Sequence, residues 1–229
     1  MEIDSPARPP PARQAKLLRT LTRGTLFRPH YVLHLADRSD KLPRIPAVDT
    51  VCRAWEGEAG CRVERVVRAL GFDAACMWSS GEPGHPNDAV PGLPNYIAFA
   101  SAEAKGVYAT RGQCAGAPAA IVVVETAGTL TAAIEEELLV TSRPWSRSRV
   151  VVYTDGDLWR LYVRNMGGIG QDREGHRYFE FDMARLVTLT GSERVLAESW
   201  FVRFFSAEGI GPDLSSLVHE GVGCTRRYV

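Results

Sequence analysis

Residues 119–163 read AAIVVVETAGTLTAAIEEELLVTSRPWSRSRVVVYTDGDLWRLYV, and five elements follow from them in order. Residues 121–124 form a continuous β-branched apolar run, too short for a helix and suited to a pleated surface. Residues 131–140 place Ile134, Leu138 and Leu139 on one side and Glu135, Glu136 and Glu137 mostly on the other, which is helical spacing. Residues 150–153 are apolar again. Asp155-Gly156 then supplies the turn of a tight hairpin, and residues 158–163 return as a third strand. A strand, a helix and a strand within about 30 residues predict a right-handed crossover with the two strands parallel. The expected class is α/β, with function to be sought at the end of the first strand.

Length and composition bound the rest. A chain of 229 residues suits one domain with extensions, or at most two small ones. Hydrophobic residues make up 45% and charged residues 24%, as in ordinary globular proteins. No apolar run approaches the roughly 18–20 residues that cross a bilayer, so no membrane is expected among the partners. The first residues, MEIDSPARPPPARQAK, carry acids and prolines where a signal peptide has an apolar core. Cys52, Cys61, Cys76, Cys114 and Cys224 are scattered without a CxxC pair, which points to reduced thiols in a cytoplasm.

Formal net charge is zero, but residues 1–70 hold 13 basic against 8 acidic side chains, and residues 71–140 hold 2 against 8. The basic first third suits phosphate contact. The acidic middle would repel phosphates unless a cation intervened.

Several further elements are expected. Residues 1–12 read as a disordered Pro-rich tail, and residues 14–22 as a short basic helix with Leu17, Leu18 and Leu21 on one face. Residues 31–35 alternate as a strand. Residues 62–70 form a helix burying Val63, Val66, Val67 and Leu70, closed by Gly71. Residues 79–94 are a turn-rich loop. A strand at 96–100 has its hairpin partner at 106–110. Residues 166–175 are a glycine-rich loop, and residues 178–181 a strand followed by 183–187. A helix at 193–205 buries Val195, Leu196, Trp200 and Phe204.

This order resembles the PD-(D/E)xK nuclease superfamily, most closely the N-terminal nuclease domain of type I restriction enzyme motor subunits. The resemblance rests on the helix at 62–70, on Leu93-Pro94-Asn95-Tyr96-Ile97-Ala98-Phe99, and on Ala120-Ile121-Val122-Val123-Val124-Glu125-Thr126-Ala127. Its most specific part is the hairpin Tyr153-Thr154-Asp155-Gly156-Asp157-Leu158-Trp159-Arg160-Leu161-Tyr162. It implies a restriction-endonuclease-like core, a mixed central β-sheet flanked by helices, over residues 50–210. Residues 13–49 become an N-terminal extension and 211–229 a C-terminal tail. DNA is the implied partner, with a helicase or modification subunit on another chain.

The chemistry implied is metal-assisted phosphodiester hydrolysis. Carboxylates at the ends of adjacent strands hold Mg²⁺, a hard cation preferring oxygen, and the metal polarises the phosphate and generates hydroxide. A lysine two positions beyond the second acid shares its strand face and offsets transition-state charge. Here Asn95 stands where the first carboxylate belongs, Glu125 supplies the second, and Ala127 stands where the lysine belongs. A site with one acid binds Mg²⁺ poorly, so hydrolysis is expected to be weak or lost.

Two repairs exist in the sequence. Glu103-Ala104-Lys105, with Asp88 15 residues earlier, is a literal Glu-x-Lys that would make residues 96–105 the catalytic strand. Alternatively Lys105 or Arg111 reaches a site on Glu125, with Glu64 adding a carboxylate from the first helix. Arg143, Arg147 and Arg149 make a phosphate-contact patch or a solvated loop. His30, His34, His85 and His176 fit ordinary roles better than a metal pair. The alternatives to a weakened nuclease fold are an active Mg²⁺-dependent endonuclease of restriction or phage defence, and a protein-interaction scaffold.

Overall fold

The computed structural model describes residues 11–24, 26–27, 50–57, 61–72, 74–79, 96–99, 102–103, 105–106, 119–125, 150–165, 168–169, 171–172, 175–176 and 178–206. In chain order these form helix α1 (Pro11–Leu21), strand β1 (Thr22–Gly24), and helices α2 (Thr50–Glu56) and α3 (Arg62–Ala69). Strands β2 (Met77–Ser79), β3 (Tyr96–Phe99), β4 (Ala119–Glu125), β5 (Val150–Thr154) and β6 (Leu158–Asn165) follow. After them come the two-residue strands β7 (Gly168–Ile169), β8 (Gln171–Asp172) and β9 (Gly175–His176) and strand β10 (Tyr178–Asp182). Helices α4 (Met183–Val187) and α5 (Gly191–Phe205) end the described chain.

The apolar runs at 121–124 and 150–153 lie side by side as β4 and β5. They are parallel, with Val122 opposite Val151 and Glu125 opposite Thr154. Residues 126–149, including the expected helix at 131–140, lie outside the described residues. The sheet runs β1-β10-β6-β5-β4-β3-β2, and every other described pairing in it is antiparallel. It is therefore a mixed sheet.

Asp155-Gly156 makes the β5–β6 hairpin as expected. Gly156 has φ of 92°, a conformation that costs glycine little. The Asp155 carboxylate accepts from Asp157 N at 3.0 Å and Leu158 N at 2.7 Å, which closes the turn.

Strand alternation divides the sheet into two faces. Val152, Trp159, Leu161, Phe179 and Phe181 share the hydrophobic core. There α5 packs its aromatic residues against them: Trp159 meets Phe201 edge-on at 5.4 Å, and Phe179 lies 4.4 Å from Phe204. Tyr153 and Tyr162 alternate with that set and are also fully buried, so both faces are covered at these positions. Such double coverage explains why β5 reads as an unbroken apolar run.

Four expectations need correction. The helix read at 193–205 buries more than one face: Ala197 to Val202, Phe204 and Phe205 are all buried, while Val195 and Leu196 are only partly so. A helix end enclosed on several sides has no single apolar stripe. Second, α1 begins at Pro11, inside the expected tail, because proline suits the first helical position. Third, the N-terminal extension read at 13–49 contributes to the core through its described part: Leu17, Leu18, Leu21, Leu26 and Phe27 join it and β1 pairs with β10. Fourth, the partner of β3 on its outer side is β2, not residues 106–110; Gly106 is helical.

Helix α3 keeps its expected valine stripe, and Gly71, at φ 87°, donates to the Arg68 carbonyl. Within the expected glycine-rich loop at 166–175, residues 168–169 pair with β6 and residues 171–172 with β9. Among the described residues no helix is long and apolar enough to cross a membrane.

Candidate functional site

The end of β4 brings three segments together. Glu125 is its last residue and pairs with Thr154 across the parallel ladder. Tyr96, the first residue of β3, pairs with Val123. The start of β3, which directly follows Asn95 in sequence, thus lies beside the end of β4. The Asp155-Gly156 turn follows Thr154 on the other side. The carboxyl ends of adjacent parallel strands are a common place for ligands in α/β sheets.

That turn is held rigidly. The Trp55 indole of α2 donates to the Gly156 carbonyl at 2.8 Å, and Trp159 donates to the same oxygen at 3.4 Å. Arg62, at the start of α3, pairs with Asp157 at 3.1 Å and stacks 4.2 Å from the centre of the Trp55 ring. A side chain added at Gly156 would touch Arg62 and Val63, so the first turn of α3 sits against the hairpin. The Asp157 carbonyl accepts from Met183 N at 2.8 Å and ties the start of α4 to the same turn.

Glu64 is two residues beyond Arg62 in that first turn. Its carboxylate accepts from Arg68 at 2.5 Å, an i,i+4 pair with both partners partly exposed. A pair of this kind contributes little to stability, about 0.3–0.5 kcal/mol. Glu64 is thus near the hairpin by virtue of its helix, and is occupied by a cation of its own.

Lys105 is placed elsewhere. Its Nζ donates to the Met77 carbonyl on β2. Met77 pairs with Ala98, and Ala98 with Ile121, four residues before Glu125. Two strand spacings across and four residues along put that carbonyl roughly 16 Å from the backbone of Glu125. The Glu103–Lys105 repair also needs correction: β3 ends at Phe99, and Glu103 and Lys105 lie in helical conformation. Helical residues two apart do not share a face. Asn95, Asp88, Arg111, Ala127, Arg143, Arg147, Arg149, His30, His34 and His85 lie outside the described residues.

On the sheet face opposite α5, Arg160 pairs with Glu180 at 2.5 Å and lies 4.8 Å over the Tyr178 ring. Burial pulls the Arg160 guanidinium down, but the hydrogen bond and charge of Glu180 outweigh it. The group is held above its ordinary value. Among the described residues no three His, Cys, Asp or Glu side chains converge to hold a metal ion.

Trp55 and Arg62 are the contributors that the sequence did not announce. Their partners lie 101 and 95 positions away, beyond any local pattern. What these observations define is a class: an α/β protein with a mixed sheet flanked by helices. No protein-family model, curated protein or solved structure matches the chain.

Proposed function

We propose that the protein is a nucleic-acid-associated protein of restriction-endonuclease-like fold whose phosphodiester hydrolysis is weak or lost. The observation that carries this reading is the register around β4. It sets the strand end bearing Glu125 beside the start of β3 and beside the Thr154-Asp155-Gly156 hairpin. The order α3, β3, β4, β5, β6 is the order that the resemblance to PD-(D/E)xK nucleases implies.

The residues at the strand ends argue against strong catalysis. Glu125 offers one carboxylate and Asn95 an uncharged amide oxygen. Glu64 is engaged by Arg68, and Lys105 is held on β2. A hard divalent cation binds such a donor set poorly, since charged oxygens provide most of the affinity. Were Mg²⁺ bound, it would polarise the phosphate; Glu125 and Asn95 would be its protein ligands. Each group acting on transition-state charge is worth about 10²–10³ in rate. Without the lysine and one acid, about 10⁴–10⁶ is lost.

The test is nicking of supercoiled plasmid with Mg²⁺ or Mn²⁺, using the wild type, Glu125→Ala and Lys105→Ala. The expected result is no metal-dependent nicking by any of the three. Nicking by the wild type that disappears in Glu125→Ala would establish an active endonuclease instead. Its additional loss in Lys105→Ala would give that lysine a catalytic part.

A further inference from the structure

Residues 11–24 contain Arg13, Lys16, Arg19 and Arg23 and no acidic residue. Burial of Leu17, Leu18 and Leu21 in the core fixes the facing of α1, leaving Arg13, Lys16 and Arg19 exposed. Positions three apart on a helix lie roughly 5–6 Å from one another between Cβ atoms. Arg23 continues the series on β1 and is exposed as well.

These cations differ in their partners. Arg13 pairs with Glu193 at 2.6 Å. Lys16, Arg19 and Arg23 have no acidic partner among the described residues. Glu180 lies opposite Arg23 in the ladder, but it is buried and bonded to Arg160. Among the described residues, three exposed positive charges within eight residues therefore have no acidic partner. Neighbouring like charges cost a few tenths of a kcal/mol in an isolated helix, so nothing among the described residues rewards them.

We propose that this surface docks duplex DNA through its phosphates. The inference rests on the nucleic-acid reading above and names a contact surface for it. Placement supports it: Arg23, Glu180, Arg160, Tyr153 and Val124 are successive ladder partners in one row across the sheet. That row ends one residue before Glu125. Four strand spacings make it roughly 19 Å long, a little over half a helical turn of duplex, whose repeat is about 34–36 Å. Arg23 and the strand end at Glu125 therefore lie within reach of one duplex, which would touch the two ends of the row and not its buried middle at Glu180 and Tyr153. An anionic bilayer fits less well, because the apolar side of α1 is already spent in the core and has nothing to insert.

The test is fluorescence anisotropy of a labelled 20-base-pair duplex between about 50 and 200 mM salt. The full chain is compared with the triple variant Lys16→Gln/Arg19→Gln/Arg23→Gln. Each phosphate contact contributes about −0.9 to the slope of log K against log salt, so the triple variant's slope should be shallower by roughly 2.7. That corresponds to a roughly 40-fold smaller loss of affinity across the range. Arg13→Gln, whose cation is already paired, should change the slope by less than one contact's share. If the triple variant does not fold, Arg19→Gln alone should flatten the slope by about 0.9. Wild-type binding with an unchanged slope in the variant overturns this docking surface and leaves the nucleic-acid reading intact. Absence of salt-sensitive binding by the wild type overturns both, as does binding only to vesicles containing phosphatidylserine.

Discussion

Glu198 is a carboxylate in the middle of α5, almost wholly buried, whose Oε1 accepts from Val51 N at 2.8 Å and Cys52 N at 3.3 Å. Those two donors belong to the first turn of α2, a helix of seven residues whose first N–H groups have no partner within the helix. Glu198→Ala removes the acceptor that these two buried N–H groups share. A hydrogen bond to a charged group is worth about 1.5–3 kcal/mol net. With the longer bond counted at the low end of ordinary ones, the expected loss is about 3 kcal/mol. For a chain of 150–250 residues each kcal/mol moves Tm by about 2–4 °C, so differential scanning calorimetry should find Tm lowered by about 6–12 °C.

Glu198→Gln retains an acceptor oxygen of nearly the same shape and should lose only about 1 kcal/mol. The damage in the alanine variant should also be local. Amide hydrogens of residues 51–55 should exchange faster than those of α5, and Trp55, which α2 holds against Gly156, should redden in fluorescence. A Glu198→Ala protein melting within about 2 °C of the wild type would refute the capping argument. Equal destabilisation by alanine and glutamine would show that charge, not the acceptor oxygen, holds α2 in place.

Three further perturbations probe the backbone and the sheet. Gly24→Ala should be severe: its Cβ would fall 2.1 Å from the Tyr178 carbonyl oxygen, at a backbone φ of 110°. That carbonyl cannot retreat easily, because it also accepts from Leu26 N at 2.9 Å. The left-handed conformation alone costs about 1–2 kcal/mol, and urea denaturation should show at least that loss. Gly106→Ala, which meets nothing within 4 Å, should be neutral or slightly stabilising. Arg160→Met should leave Glu180 buried without its cation and cost about 3–5 kcal/mol, whereas adding Glu180→Met should recover most of that. Recovery of none of it in the double variant would mean that packing around Tyr178, not the ion pair, is what the arginine supplies.

What could be read from the sequence was what local pattern decides. The runs at 121–124 and 150–153 identify themselves by β-branching, the turn by Asp155-Gly156, and α3 by Val63, Val66 and Val67. Strands β1 and β2 could not be found this way. Three residues carry no period, and these become strands only because β10 and β3 lie beside them. Helix α2 is hidden for the same reason, since its cap comes from Glu198, 146 and 147 positions away. At the candidate site, Glu125 and the hairpin were visible through their motifs. The Trp55–Gly156 and Arg62–Asp157 clamps were not, because side-chain type alone does not reveal a distant carbonyl or carboxylate. The one-faced reading of α5 failed at Phe201 and Phe205, whose enclosing neighbours come from β6, β10 and their own helix.

The pairing of β1 with β10 has a consequence for how the chain acquires its structure. Thr22 meets Phe181, so 159 positions separate two hydrogen-bonded neighbours. Closing a loop of that length costs about 4–5 kcal/mol in the simple logarithmic estimate, before the constant term. The β5–β6 hairpin needs only a three-residue turn. Folding should therefore begin at the hairpin and end at the first strand. On the ribosome, α1 would emerge before its partners and dock last, waiting with its three leucines uncovered until β10 and α5 have been made.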